Sequence, residues 1–343
     1  MTDISTNGAL PQPPLAERLA RLAPYLVAPA LAVAALAAIG TPSTWLTLTV
    51  AGLAMGMMVF VMASGLTLVF GLMDVLNFGH GAFITLGAFV GASMLIWLAP
   101  WSAAPSVGLN LAVVFLAMLA AMASTGVAGW FFERVVVMPV YGAHLKQILV
   151  TMGGLIVTEQ LIYVVWGPDQ IPLARPMTLR GSFTFGEFTF EKYRLLAVVI
   201  GLAVFLAMRW VLSRTRIGLL IRAGVENGEM VEALGYRIRL LFIAVFIVGS
   251  ALAGLGGAMW GLYEEVITGH MGMQVMVLVF IVVIIGGLGS VEGCFIGAIL
   301  VGLTQNYIGY LAPKLALGSN ILLMALVLLW RPEGLFPLAK GGR

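Results

Sequence analysis

Three side chains in this sequence carry ionisable or strongly polar chemistry into stretches that are otherwise apolar. Glu159 is the only charged residue in Ile148–Trp166. A carboxyl at membrane depth faces protein or water rather than lipid and marks a solute or ion route by default; its quieter role is a pair with a neighbouring helix. Asn77 and His80 lie in Gly71-Leu-Met-Asp-Val-Leu-Asn-Phe-Gly-His-Gly81, which breaks an apolar region with Asp74 and three glycines. Such breaks are tolerated where they line a cavity or pack in protein. The segment reads either as a broken helix beside a transport route or as a plain turn between two crossings. No catalytic set accompanies these residues. His80, His144 and His270 are far apart and lack metal-ligand spacing. No nucleophile, base and acid group together, and the chain contains no G-x-x-x-x-G-K-[ST] phosphate loop. The expectation is a protein without catalytic, metal or cofactor residues of its own.

A second constellation lies in Ser213–Arg239. Residues Ile217–Ala223 suit one short amphipathic helix. Asn227 then offers a cap for a second, because its side chain can accept from the first free N–H groups. Glu229 and Glu232 fall in the first turns, where carboxylates complement the helix dipole. Gly235 suits the residue after the helix end, where φ is usually positive. Two short helices with small residues between them make a compact knob, the shape that seats in a cleft of a soluble partner. A solvated linker is the alternative, against which the capping signals at both ends weigh.

The elements that must position these groups follow from composition. Of 343 residues, 61% are hydrophobic and 10% charged, with a mean hydropathy of +1.05. Soluble domains carry about 25% charged residues, and no soluble fold buries so much apolar side chain. The fold class is therefore all-α, a polytopic membrane protein. A crossing needs roughly 20 apolar residues. Leu22–Met73 and Gly81–Phe132 each hold two crossings, with single runs at Ile148–Trp166, Leu195–Leu212, Leu240–Leu262, Val275–Leu288, Phe295–Leu311 and Asn320–Trp330. That makes about ten transmembrane helices. The net charge of +3 reflects cytoplasmic Lys and Arg rather than nucleic-acid binding.

With both termini cytoplasmic, the inner segments hold Arg134, Lys146, Arg209, Arg214, Arg216, Arg222, Arg237 and Arg239 among others. The outer ones hold only Arg175, Arg180, Lys192, Arg194 and Lys314. The expected organisation is a cytoplasmic tail over 1–23, a transmembrane domain over 24–331 and a cytoplasmic tail over 332–343. Its outer loop is 167–194, with a β-hairpin around Phe183–Phe190, and its inner loop is 213–239. Ala35-Leu-Ala37 also satisfies a small-x-small cleavage pattern; cleavage there would leave every later crossing unchanged. Glu264 and Glu265 are expected to be solvated at an outer edge. The Gly/Ala spacing of Gly249–Gly261 is expected to let helices approach closely. Gly286-Gly-Leu-Gly-Ser-Val-Glu-Gly293 reads as a possible distant, parallel copy of the segment 71–81.

These residues resemble a known family. Gly65-Leu-Thr-Leu-Val-Phe-Gly-Leu-Met-Asp-Val-Leu-Asn-Phe-Gly-His-Gly-Ala-Phe83 is similar to the signature of the branched-chain amino-acid permeases of bacterial ABC importers, and more closely to the first of the two permease types. Arg214 through Gly235, Phe246–Ala258 and Gly286–Gly293 match in place and order. Two departures are a longer N-terminal tail and Ala82 where the family often has Glu. The resemblance implies a multi-pass subunit of the bacterial inner membrane for branched-chain amino acids or a related small polar solute. It implies a second permease subunit, two cytoplasmic ABC ATPases and a periplasmic substrate-binding protein as partners, besides membrane lipid. It places Arg222, Asn227, Glu229, Ala233 and Gly235 in the ATPase-coupling knob. Asn77, His80 and Glu159 are then candidates for the substrate pathway on polarity and position. The alternative is an ATP-independent secondary transporter or channel, which would have no need of the knob.

Overall fold

The computed structural model describes residues 15–73, 75–226 and 228–336. The N-terminal tail up to residue 14, Asp74, Asn227 and the tail from residue 337 lie outside them, and of Glu229 only the helical backbone is described. Each apolar run of the sequence is a helix. In chain order they are α1 (Leu15–Ile39), α2 (Pro42–Met73), α3 (His80–Trp97), the single turn α4 (Ala99–Ser102), α5 (Val107–Phe132), α6 (His144–Trp166) and α7 (Lys192–Arg214). They continue with α8 (Arg216–Glu226), α9 (Gly228–Ala233), α10 (Ile238–Glu264), α11 (Met271–Gly286), α12 (Val291–Leu311) and α13 (Ala316–Trp330). Among the described residues seven helices are long and apolar enough to cross a membrane. Three more apolar helices are shorter: Ala23–Ile39, Met271–Gly286 and Gly318–Trp330. Four short strands complete the fold: β1 (Ile171–Pro172), β2 (Ser182–Phe185), β3 (Phe188–Glu191) and β4 (Val266–Ile267).

The centre of the bundle is built on α2 and α10, which pack on each other and on α3, α5 and α12. Lipid offers little hydrophobic drive between helices, so close packing must supply the adhesion. Glycine provides it here. A methyl group on Gly257 would lie 1.9 Å from the Ile84 carbonyl oxygen, and one on Gly56 2.6 Å from that of Ala298. The Gly249–Gly261 spacing thus serves helix approach, as the sequence suggested.

The two ends of the bundle differ. At one end β2 and β3 form an antiparallel hairpin, Phe183 opposite Phe190, turning through Gly186 at φ +63°. At the other, α7 runs into α8 and α9, and α8 packs on α2. Gly71 and Gly289 touch at this knob end, a methyl on the first meeting the second's Cα at 2.6 Å. The segments 71–81 and 286–293 are therefore neighbours in space.

The loop of the hairpin end is held by two polar anchors. Asn110 of α5 is fully buried. Its Nδ2 donates to the Trp101 and Ala104 carbonyls at 2.7 and 3.0 Å, and its Oδ1 accepts from the N–H and hydroxyl of Thr178. Arg175 donates to the carbonyls of Leu262 and Tyr263, both at 2.8 Å, where α10 ends. It also pairs with Glu191 at 3.2 Å and Glu265 at 3.0 Å. Glu265 is thus an ion-pair partner and not simply solvated, because the loop folds back over the end of α10. Arg175→Ala should remove about 2 kcal/mol, the worth of hydrogen bonds to a charged group. The expected readout is faster proteolysis within 167–191 with the bundle intact; unchanged cleavage would show that Asn110 holds the loop alone.

Candidate functional site

Two helices start inside the bundle rather than at its ends. The first is α3. After α2 ends at Met73, the chain turns back, and the His80 Nε2–H donates to the Met62 carbonyl at 2.9 Å. Met62 lies eleven residues before the end of α2, roughly 16 Å at the helical rise of 1.5 Å. His80 and Asn77 are each 1% exposed. The segment is therefore a re-entrant stretch buried in protein, not a surface turn. Two of its backbone donors have partners: Phe78 N–H donates to Thr151 Oγ1 at 3.2 Å, and His80 N–H to the Asn77 carbonyl at 3.3 Å.

The second is α11. From the end of α10 the chain descends through β4 and Thr268–His270, and α11 begins at Met271. β4 pairs antiparallel with β1, Ile171 opposite Ile267 and Pro172 opposite Val266. The two helix starts meet. Gly272 N–H donates to Thr85 Oγ1 at 2.9 Å, and a methyl on Gly272 would fall 1.9 Å from the Gly81 carbonyl oxygen. Only glycine lets these backbones approach so closely.

One face of α6 runs past both re-entrant segments. Its positions recur every fourth residue, the spacing of one helical stripe. Thr151 accepts from Phe78, Leu155 lies beside Gly81, Glu159 meets His270, and Tyr163 covers Gly269 and His270. The Glu159 Oε2 is 3.5 Å from His270 Nδ1, and the Tyr163 ring sits edge-on to the imidazole with centroids 5.7 Å apart. Glu159 Oε1 is buried without a hydrogen-bond partner, as is Asn77 Oδ1. Glu159 stands seven residues before the end of α6, about 10 Å from the hairpin end.

The pathway candidates thus fall into two places. Asn77 and His80 belong to the segment before α3, and Glu159 faces the segment before α11. The structure adds His270, Thr85 and Thr151, and also Glu133 and Gln147, whose buried acceptor oxygens Oε2 and Oε1 lack partners. His270 is 111 positions from Glu159 and gave no signal in the sequence. Nor did Thr85 and Thr151, which read as ordinary residues of apolar helices.

The knob is two helices. α8 is longer than the stretch Ile217–Ala223, and the Thr215 hydroxyl accepts from Gly218 N–H at 3.3 Å near its start. Asn227 lies between α8 and α9, outside the described residues. α9 ends in a Schellman motif: Tyr236 N–H bonds the Val231 carbonyl at 3.2 Å and Gly235 N–H that of Glu232 at 2.8 Å. Gly235 has φ +87°, the left-handed conformation that this ending requires. Arg222 and Ala233 are exposed. An open depression of about 470 Å³ lies at the end of α9, lined by Glu232, Gly235, Tyr236, Arg237, Arg239 and Leu240.

With this geometry in hand, the likeness to known proteins can be placed. Residues 48–330 match the family described as the permease component of the branched-chain amino acid transport system. The chain is 28% identical over 304 residues to the high-affinity branched-chain amino acid transport system permease protein BraD of Pseudomonas aeruginosa, covering 83% of this chain and 93% of the relative. It is 25% identical over 293 residues to the corresponding protein LivH of Escherichia coli, covering 83% and 92%. It is also 27% identical over 314 residues to LivM of Escherichia coli, another permease protein of the high-affinity branched-chain system, covering 83% and 69%. No solved structure matches the chain.

Proposed function

The chain belongs to the branched-chain amino acid transport permease family, and from that membership we propose that it is a membrane-spanning subunit of a bacterial ABC importer. It is a multi-pass protein of the inner membrane. It forms part of the path for a branched-chain amino acid or a related small polar solute and does no chemistry on it. A second, homologous permease completes the path, an arrangement supported by the likeness to both LivH and LivM. Two ATPases bind at the cytoplasmic face, and a binding protein delivers solute from the periplasm. The knob end is cytoplasmic and the hairpin end periplasmic, in keeping with the distribution of Arg and Lys. The units are a cytoplasmic tail over 1–23, a permease domain over 24–331 and a tail over 332–343. Arg222, Asn227, Glu229, Ala233 and Gly235 form the coupling knob.

The observation that carries the pathway reading is the meeting of two interrupted segments beside buried polar groups. Non-helical backbone at membrane depth is tolerated where it is buried in protein or lines a cavity, and transporters build solute sites from such broken helices. Glu159 and Asn77 line the route, each with an acceptor oxygen left open. His80 acts by tying the start of α3 to the backbone of α2. ATP binding draws the two ATPases together, each carries a knob with it, and the attached helices move as packed bodies between two states.

The test is reconstitution in proteoliposomes. Uptake of leucine should require ATP, the ATPases and the binding protein; uptake by this chain alone would sink the reading in favour of a self-sufficient transporter. Glu159→Ala should lower uptake about tenfold, the scale of one lost charge-assisted hydrogen bond, while the ATPases still copurify. Unchanged uptake kinetics would take Glu159 off the route.

A further inference from the structure

We infer that Glu159 is the group that recognises the ammonium of the transported solute, so that the route favours amine-bearing solutes over neutral amides and anionic acids. This rests on the reading that Glu159 lies on the pathway and names what it does there. The argument starts from an incomplete set of partners. Glu159 is 6% exposed and is the only charged residue on α6 between Lys146 and the helix end. Among the described residues its sole ion-pair partner is His270, at 3.5 Å through Oε2. Its Oε1 is buried and has no hydrogen-bond partner at all. A buried carboxylate is stable only when paired and hydrogen-bonded, so one with an open oxygen calls for a donor.

The resident partner is poorly suited to be a permanent one. The His270 side chain is 63% exposed. It stands at the foot of the segment Thr268–His270, just before α11, and its ring rests only edge-on against Tyr163. At 3.5 Å it lies beyond the range of a strong charge-assisted bond. An ammonium carries three donors and a full positive charge. It can satisfy Oε1 and displace the imidazole from Oε2 toward its exposed side. A neutral amide brings donors without the charge, and an anionic acid meets like-charge repulsion.

A competing role is purely structural: Glu159 would serve only to complement the dipole of α11. The experiment separates the two with the complete transporter in proteoliposomes, using leucine-loaded binding protein. For Glu159→Gln, [14C]leucine uptake should fall about tenfold or more, the scale of losing a charged hydrogen-bond partner. The ATPases should still copurify with this variant, and their hydrolysis should still respond to the loaded binding protein. Glu159→Asp should restore most of the uptake. Wild-type uptake by Glu159→Gln beside a crippled Glu159→Ala overturns the ammonium assignment and leaves the pathway reading standing. Wild-type uptake by both variants removes both. Loss of uptake together with loss of stimulated ATP hydrolysis in Glu159→Gln and Glu159→Asp alike makes Glu159 structural and overturns the assignment.

Discussion

Ala233→Lys is expected to abolish ATP-driven uptake while the protein still folds and inserts. Ala233 is exposed among the described residues, at the end of α9. A lysine there cannot be rejected by the bundle, and a cation in the last turn of a helix complements its dipole. The left-handed Gly235 that closes α9 is untouched. Whatever is lost must be lost to a partner. A long charged side chain in the middle of a close-packed contact must be desolvated without a mate, which costs several kcal/mol in measured interfaces, enough for a thousandfold weaker complex. The measurement is copurification of the ATPases together with uptake in proteoliposomes. Full retention of both would place the docking surface elsewhere.

Gly257→Val should have the largest effect on the fold itself. A side chain there begins 1.9 Å from the Ile84 carbonyl oxygen, so α3 and α10 must part before it fits. Overpacking a well-filled core costs typically about 1–3 kcal/mol, and backbone on both sides leaves no flexible side chain to yield. The start of α3 is tied to α2 and α11, so their contacts suffer as well. The expected result is loss of the folded protein from detergent extracts, read by size-exclusion chromatography. Gly153→Ala is the matched control. Gly153 also lies in a membrane helix, but a methyl there meets nothing within 4 Å, and alanine is the better helix former. If both variants behave alike, the close approach of α3 and α10 is not what holds the core.

The reach of the sequence can be judged on particular residues. Helix positions were legible because apolar runs of membrane length have few other uses. The β-hairpin and the end of α9 were legible because Gly186 and Gly235 hold positive φ at turns that demand it. The depth of the segment 75–80 was not. Its polar residues suit a solvated turn and a re-entrant loop equally; the burial of Asn77 and His80 and the long-range bond from His80 to Met62 distinguish them. Glu159 stood out by charge, but its neighbour His270 did not, since no pattern links residues so far apart. Arg175 looked like any loop arginine, yet it draws on two carbonyls and two carboxylates at once.

The two-rung ladder between Ile171–Pro172 and Val266–Ile267 has a mechanical corollary. Only Thr268 and Gly269 separate the last rung from His270, and the Met271 N–H already reaches back to the Thr268 carbonyl. Three residues span at most about 10 Å when fully stretched, so this tether has almost no slack. A tug on the hairpin end would be felt at the imidazole before any long rod had to bend. The pull would lift it off a carboxylate whose second oxygen is already waiting for a visitor.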